Sequence, residues 1–143
     1  MIDVKFGPMP TPADDELAEF RKATRALYDL KERAFAAADA DLVVNSFYAE
    51  DAVSVGADGK SIEGREAFRA AYLNMVKDKT VRIESWNSYV RGDAGWDWTN
   101  FHIIPNSASR APSTAIILFI WARGEQGWVC AGDIVIPGER PIG

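Results

Sequence analysis

The polar side chains that could carry chemistry lie in two predicted strands. The first strand alternates, so that one face carries tryptophan, amide and imidazole groups: Trp96, Trp98, Asn100 and His102. The second strand holds Asp133 within an apolar run from Trp128 to Ile136, where an ionised carboxylate is costly unless it is paired or solvated. We therefore take His102 and Asp133 as the candidate catalytic residues.

Each catalytic candidate also has a structural interpretation. His102 is the single histidine of the chain, and imidazole exchanges protons near neutral pH, but a hydrogen-bonded structural histidine is the alternative. Asp133 could be a base or a substrate-orienting acceptor, or it could pair with Arg123 or hydrogen-bond at a sheet edge. If one strand lies between the two strands that carry these candidates, their backbones are roughly 9 to 10 Å apart. His102 and Asp133 could then lie on either side of a bound ring, provided that both side chains point to the same face of the sheet.

Four further residues are candidates for ligand binding. An aromatic surface with one amide suits an apolar ring that is held by stacking and oriented by few hydrogen bonds, which favours Trp98 and Asn100. Tyr72 and Tyr28 could donate their hydroxyls, and Tyr48 and Tyr89 are two more possible hydroxyl donors, although most tyrosines in such places are packing residues. No nucleophile beside a base and no glycine-rich phosphate loop is evident in the sequence.

Composition narrows the class of protein. The 143 residues carry 16 basic and 21 acidic side chains, a net charge of −5 without a basic cluster, which argues against nucleic acid as a partner. Cys130 is the single cysteine, so neither a disulfide framework nor a cysteine zinc site can form, and we expect no metal and no cofactor.

The longest apolar run, Ala115–Ala122, falls short of the roughly 18 residues of a membrane span. Without a signal-like N-terminus, a cytoplasmic protein with no membrane partner is expected.

The N-terminal half predicts an extended arm followed by helices. Residues 1–12 hold three prolines and read as the arm, and residues 13–143 as one domain. A long first helix capped by Thr11 or Asp14 should bury an apolar stripe: Phe20, Ala23, Leu27, Leu30, Ala34 and Ala37. Asp39 should cap a second, short helix that ends near Tyr48. Asp58-Gly59 predicts a hairpin turn, and a third helix should begin at residues 64–66.

From Thr80 to Ile136 the pattern predicts four long strands with hairpin breaks at residues 92–95, 105–112 and 124–127. Such strands form an antiparallel meander that twists and coils. We predict an α+β, cone-shaped fold in which three N-terminal helices pack on a strongly curved, mainly antiparallel sheet around a cavity. Residues 116–121 are apolar on both faces, so a second copy should cover the outer sheet face and form a homodimer.

The chain resembles the nuclear transport factor 2-like (NTF2-like) superfamily, and within it the SnoaL-like group, over roughly residues 15 to 136. The matching segments are 38–41 (ADAD), 47–53 (FYAEDAV), 62–68 (IEGREAF), Gly127-Trp128 and Asp133. The resemblance implies the cone fold and a small-molecule pocket. Its members include ketosteroid isomerases, scytalone dehydratases, limonene epoxide hydrolases, polyketide cyclases and non-enzymatic assembly modules, so the fold does not choose the function.

Few catalytic residues of those members have a counterpart at the matching positions of this sequence. The ketosteroid isomerase base would fall near Val55-Gly56 and its acidic oxyanion donor near Ile117-Leu118, all of which are apolar. Only Asp133 loosely matches the last-strand carboxylate of the epoxide hydrolases, and His102 stands alone where scytalone dehydratases have paired histidines. Two interpretations stay open. One is a cofactor-independent acid-base isomerase, cyclase, dehydratase or hydrolase acting on a small hydrophobic cyclic compound; the other is a non-catalytic ligand-binding or dimeric assembly module.

Overall fold

The computed structural model describes residues 5–142, which form three helices and six strands. The helices are α1 (Asp14–Ala36), α2 (Ala40–Ser46) and α3 (Arg65–Met75). The strands are β1 (Tyr48–Val55), β2 (Ser61–Glu63), β3 (Lys79–Arg91), β4 (Ala94–Pro105), β5 (Ser113–Gly124) and β6 (Gly127–Pro137). Within the described range, no helix combines the length and apolarity needed to cross a bilayer.

The six strands form one open, mixed sheet in the order β2-β1-β6-β5-β4-β3. All neighbours are antiparallel except β1 and β6, which run parallel and place the first strand beside the last. The ladder is interrupted between Ser85 and Asn87 and between Ile120 and Trp121, and such irregularities bend and twist strands. The predicted α+β architecture with a mainly antiparallel sheet is confirmed.

The buried seam of α1 differs from the predicted apolar stripe. Phe20 and Ala34 are buried as predicted, whereas Ala23, Leu27 and Leu30 are only half-buried and Ala37 is exposed. The side chains that face the sheet instead recur at intervals of four, four, three and four residues: Phe20, Thr24, Tyr28, Lys31 and Phe35. The sheet offers hydrogen-bonding partners to two of the polar members, Asp97 for Tyr28 and Tyr48 for Lys31. Thr24 instead donates its hydroxyl to the Arg21 carbonyl of its own helix. The choice of face thus followed tertiary contacts rather than the count of apolar residues.

Helix ends agree with the sequence in part. The Asp39 carboxylate accepts a hydrogen bond from the Leu42 N–H at 3.1 Å, so the predicted cap of α2 is confirmed. The predicted side-chain cap of α1 is wrong, because its N-cap is Ala13 and no side chain bonds there. Gly64 opens α3 at φ +83°, a backbone conformation that glycine adopts without strain.

One close approach fixes the position of β1 against β6. A Cβ atom on Gly132 would lie 2.5 Å from the Val53 carbonyl oxygen, so only glycine fits there. The register then pairs Ser54 with Asp133. The absence of a side chain at Gly132 thus allows β1 to present a hydroxyl to the Asp133 carboxylate.

Part of the predicted arm can be compared with the structure. Residues 5–13 form neither helix nor strand, and all but Pro12 are exposed. Residues 1–4 of the predicted arm and the last residue, 143, lie outside the described range.

Candidate functional site

A cavity of about 500 Å³ opens on the inner face of the sheet, between the sheet and helices α1 and α3. Its walls are mostly apolar and include Phe35, Ile62, Met75, Phe101, Ile117 and Val135. Four polar side chains line it in the interior of the fold: Lys31, Ser54, Tyr72 and Asp133. Apolar walls with a few convergent polar groups are typical of small-molecule sites.

Asp133 is the central acidic group of this cavity. Its side chain accepts hydrogen bonds on both oxygens: Tyr48 donates its hydroxyl to Oδ2 at 2.5 Å, and Ser54 donates its hydroxyl to Oδ1. The residue is only 4 % exposed. Each carboxylate oxygen has two lone pairs, so Asp133 keeps capacity to accept a proton from a ligand in the cavity.

The hydrogen-bonded network continues from Asp133 through Tyr48 to Lys31. Lys31 Nζ donates to the Tyr48 hydroxyl at 2.7 Å, and the hydroxyls of Tyr48 and Tyr72 lie 2.9 Å apart. Because the single proton of the Tyr48 hydroxyl is directed at Asp133, Tyr72 is the donor in this second contact. Tyr48 therefore links a buried ammonium, a phenol and a carboxylate.

Both tyrosines stay protonated near neutral pH. Burial raises the pKa of Tyr48 well above its ordinary value, and the negative charge of Asp133 adds to the effect. Burial also raises the pKa of Tyr72, against an opposing effect of the Lys31 ammonium. The phenols are thus donors rather than bases, and Asp133 is the group in this network that is suited to accept a proton.

Aromatic rings surround the buried Lys31, which is 1 % exposed. Its Nζ lies 4.5 to 5.6 Å from the centroids of five rings: Phe47, Tyr48, Phe119, Tyr72 and Phe101. Cation–π attraction offsets part of the cost of removing the ammonium from water. The Asp133 carboxylate, reached through the Tyr48 hydroxyl, supplies the opposite charge.

His102 lies on the outer face of the sheet, away from this cavity. Asp97, Phe119 and Asp133 share one row of the ladder and face inward, whereas His102 is five residues from Asp97 and faces outward. The two predicted catalytic residues therefore do not share a cavity, and the expected acid-base pair of His102 and Asp133 does not form. Alternation along one strand shows which of its own residues share a face. It does not show which faces of two different strands lie on the same side of the sheet, and His102 and Asp133 are on different strands.

On that outer face His102 has two side-chain partners. Its Nε2 lies 2.6 Å from Glu84 Oε1, and its Nδ1 lies 2.9 Å from Thr114 Oγ1. The hydrogen bond to His102 lowers the pKa of Glu84. This carboxylate, imidazole and hydroxyl on three adjacent strands were not foreseen together, because the pairing of Thr114 and Glu84 with His102 depends on the sheet register.

The four predicted ligand-binding residues are divided between the faces. Tyr72 lines the cavity. Tyr28 faces inward but donates its hydroxyl to Asp97 Oδ2 at 2.6 Å, within the core. On the outer face Trp98 stacks on Trp86 with ring centroids 5.6 Å apart, and Asn100 exchanges two hydrogen bonds with the Arg140 backbone. Trp98 and Asn100 are therefore placed away from the cavity.

Two members of the network, Lys31 and Ser54, were not predicted from the sequence. A signal existed for Lys31, since it falls at helical spacing between Tyr28 and Phe35, yet a lysine on a helix is usually solvated. Tyr48, one of the candidate hydroxyl donors, was expected at the end of the second helix, whereas it begins β1. No local pattern marks Ser54, whose role depends on the parallel pairing of β1 with β6.

A second buried carboxylate, Asp97, belongs to the core. Three hydroxyls donate to it: Tyr28 at 2.6 Å, Ser85 at 2.5 Å and Ser88 at 2.7 Å. Burial raises its pKa, although these hydrogen bonds oppose the rise. Between residues 5 and 142, no group of three His, Cys, Asp or Glu side chains is arranged to hold a metal ion.

A family comparison agrees with this architecture. The model of the SnoaL-like domain matches residues 24–126. The chain belongs to the SnoaL-like domain family. Its match covers most of α1, the hairpin, α3 and the sheet as far as the turn before β6, so the Asp133 strand lies just beyond the matched segment. No match was found among curated proteins.

Solved structures share the fold of this SnoaL-like domain at low identity. An NTF2-like protein with a cystatin-like fold from Novosphingobium aromaticivorans has a TM-score of 0.73 at 15 % identity, covering 87 % of this chain and 86 % of that one. A candidate calcium/calmodulin-dependent protein kinase II association domain from Xanthomonas campestris has a TM-score of 0.71 at 14 % identity, covering 98 % and 100 %. A candidate dehydratase of the NTF2-like family from Streptomyces avermitilis has 0.67 at 15 %, covering 90 % and 100 %.

Proposed function

We propose that this SnoaL-like protein is a cofactor-independent acid-base enzyme that acts on a small hydrophobic cyclic compound bound in the inner cavity. One observation carries the proposal: the Asp133 carboxylate, hydrogen-bonded on both oxygens, lines a mostly apolar cavity of about 500 Å³ next to a buried lysine. A general base held in an apolar cavity contributes roughly 10²- to 10⁴-fold to a rate.

Asp133 and Lys31 have complementary roles in this proposal. Asp133 takes a proton from a ring carbon next to a carbonyl. Lys31 has three N–H donors, one of which bonds Tyr48, so another can donate to the carbonyl oxygen as negative charge develops there. Isomerisation, cyclisation and dehydration can each begin with this proton removal. The S. avermitilis neighbour, named as a candidate dehydratase, is consistent with that chemistry in the same fold.

Tyr48 acts as a positioning residue. Its hydroxyl bonds Asp133 and accepts from both Lys31 and Tyr72, so it fixes the distance between the base and the ammonium. Because its raised pKa keeps the phenol protonated, it holds the Asp133 anion without competing for the proton.

The test uses deuterium exchange, which reports proton transfer whatever the complete reaction is. A panel of cyclic ketones and enones is incubated with the protein in D₂O, and incorporation beside the carbonyl is followed by NMR. For an active compound, Asp133→Asn should lower the exchange rate by about 10²- to 10⁴-fold. Asp97→Asn is the matched control, since Asp97 is buried on the same ladder row but bonded only within the core.

A second set of variants separates catalysis from folding. Lys31→Met/Asp133→Asn removes both buried charges together and should fold while remaining inactive. Exchange that persists in folded Asp133→Asn protein would contradict the proposal. Compounds that bind in the cavity without exchange would favour the non-catalytic ligand-binding alternative.

A second candidate function, assembly, is favoured by the outer sheet face. Ile104, Ile120, Ile134 and Ile136 are each 36 to 41 % exposed on this face. We propose that a second copy covers it and forms a homodimer, since clustered apolar exposure marks interfaces. The X. campestris neighbour named as a candidate association domain has a comparable fold. Sedimentation at micromolar concentration tests the dimer, and a monomer there would count against it.

A further inference from the structure

The charges that line the cavity differ in sign from the charge of the whole protein. Three lysines and two aspartates line it: Lys31, Lys60, Lys79, Asp58 and Asp133. Formal charges of three minus two leave the cavity at +1, whereas the chain carries −5. Basic groups gathered in a cleft raise the local concentration of anions even on an acidic protein.

The lining charges fall into an inner and an outer set. Lys31 and Asp133 are both buried and are linked through the Tyr48 hydroxyl, so they balance each other. Lys60, beside the β1–β2 turn, is exposed, and Lys79, at the start of β3, is half-buried. These two lysines form the basic rim of the cavity.

The basic rim carries positive charge that is not neutralised by an ion pair within the described residues. Asp58 is the acidic residue that lines the cavity beside the rim, but its Oδ1 accepts the Lys60 backbone N–H at 2.9 Å and is thereby held in its own turn. Across residues 5–142, no carboxylate lies within ion-pair distance of the Lys60 or Lys79 ammonium. Among the residues that line the outer part of the cavity, Lys60 and Lys79 are positive and Asp58 is negative, and the remaining single positive charge matches a monoanion.

We propose that the substrate is a cyclic compound with a carboxylate, whose apolar ring fills the cavity while the carboxylate binds the basic rim of Lys60 and Lys79. This inference rests on the proposed function and names its substrate class. The reacting carbon then points inward to Asp133 and Lys31, because the opposite end of the ring is held at the rim. Lysine stems cover apolar wall while their ammonium groups reach the carboxylate.

The experiment compares two probes that differ in charge, 2-naphthoate and its neutral amide 2-naphthamide, by isothermal titration calorimetry. We expect the naphthoate to bind roughly tenfold more tightly than the amide at an ionic strength of about 0.01 M, and the preference to shrink at about 1 M, where the Debye length falls to ~3 Å. Lys60→Gln/Lys79→Gln should remove the preference. Lys77→Gln is the control, because Lys77 is exposed and not among the cavity-lining residues.

The outcomes distinguish this inference from the proposed function. Equal binding of the two probes, or a naphthoate preference that survives in Lys60→Gln/Lys79→Gln, would overturn the anion selection and leave proton transfer by Asp133 standing. A preference that the double variant removes supports the inference, even if Asp133→Asn proves to have no effect on exchange. Binding of neither probe would overturn the cavity as a site for aromatic acids.

Discussion

Asp97 and Asp133 occupy equivalent positions on one ladder row, on either side of Phe119, and both are buried. Both receive hydroxyl hydrogen bonds, three for Asp97 and two for Asp133. The two carboxylates differ in the surroundings of their hydrogen-bonded hydroxyl groups. Asp133 lines a cavity and reaches Lys31 through Tyr48, whereas Asp97 is enclosed by core side chains. Burial by itself therefore does not distinguish the two carboxylates; access to a cavity and a compensating cation do.

The largest expected effect concerns the compensating charge of Asp133. Asp133→Asn should lower the free energy of unfolding by about 3 kcal/mol, because it leaves the Lys31 ammonium buried without an opposite charge. Lys31→Met in the same chain should restore most of this loss, since a buried ion pair can be replaced by apolar groups at little cost. Urea unfolding of the two single variants and the double variant measures the coupling. Losses that simply add would show that the charges act independently.

A smaller effect, which depends on pH, is expected at Asp97. Burial raises its pKa in the folded protein, so its contribution to stability is fully present below its unfolded pKa of about 3.9 and is lost as the pH rises through the folded value. Asparagine does not titrate. The stability of the wild type relative to Asp97→Asn should therefore decline as the pH rises above ~4. Unfolding curves of both proteins across this range test the sign, and a difference that grows with pH would contradict it.

The smallest effect is expected at His102. Since His102 lies on the outer face, His102→Ala should change deuterium exchange by less than about twofold, against the 10²- to 10⁴-fold of a proton carrier. The same NMR assay measures it, with Asp133→Asn as the positive control. A tenfold loss would show that the two faces of the sheet are coupled and would contradict their separate roles.

The inner and outer faces of the sheet also show which features of the structure the sequence pattern could predict. Period-two alternation correctly grouped Trp98, Asn100 and His102 on one face of β4 and Asp97 on the other. It could not tell which face the helices cover, because alternation separates two faces without showing which of them is packed against the rest of the protein. The pairing of His102 with Asp133 failed at that step.

The sequence by itself determined the order of the elements, the hairpin turns and the α+β class, because capping, turn chemistry and hydrophobic period act over a few neighbouring residues. The candidate site was decided by tertiary structure. Lys31 on α1, Tyr48 and Ser54 on β1, and Asp133 on β6 meet only because β1 runs parallel to β6 and α1 turns a polar seam inward. Contacts between residues some 80 to 100 positions apart, such as that of Tyr48 with Asp133, separated by 85, leave no local pattern.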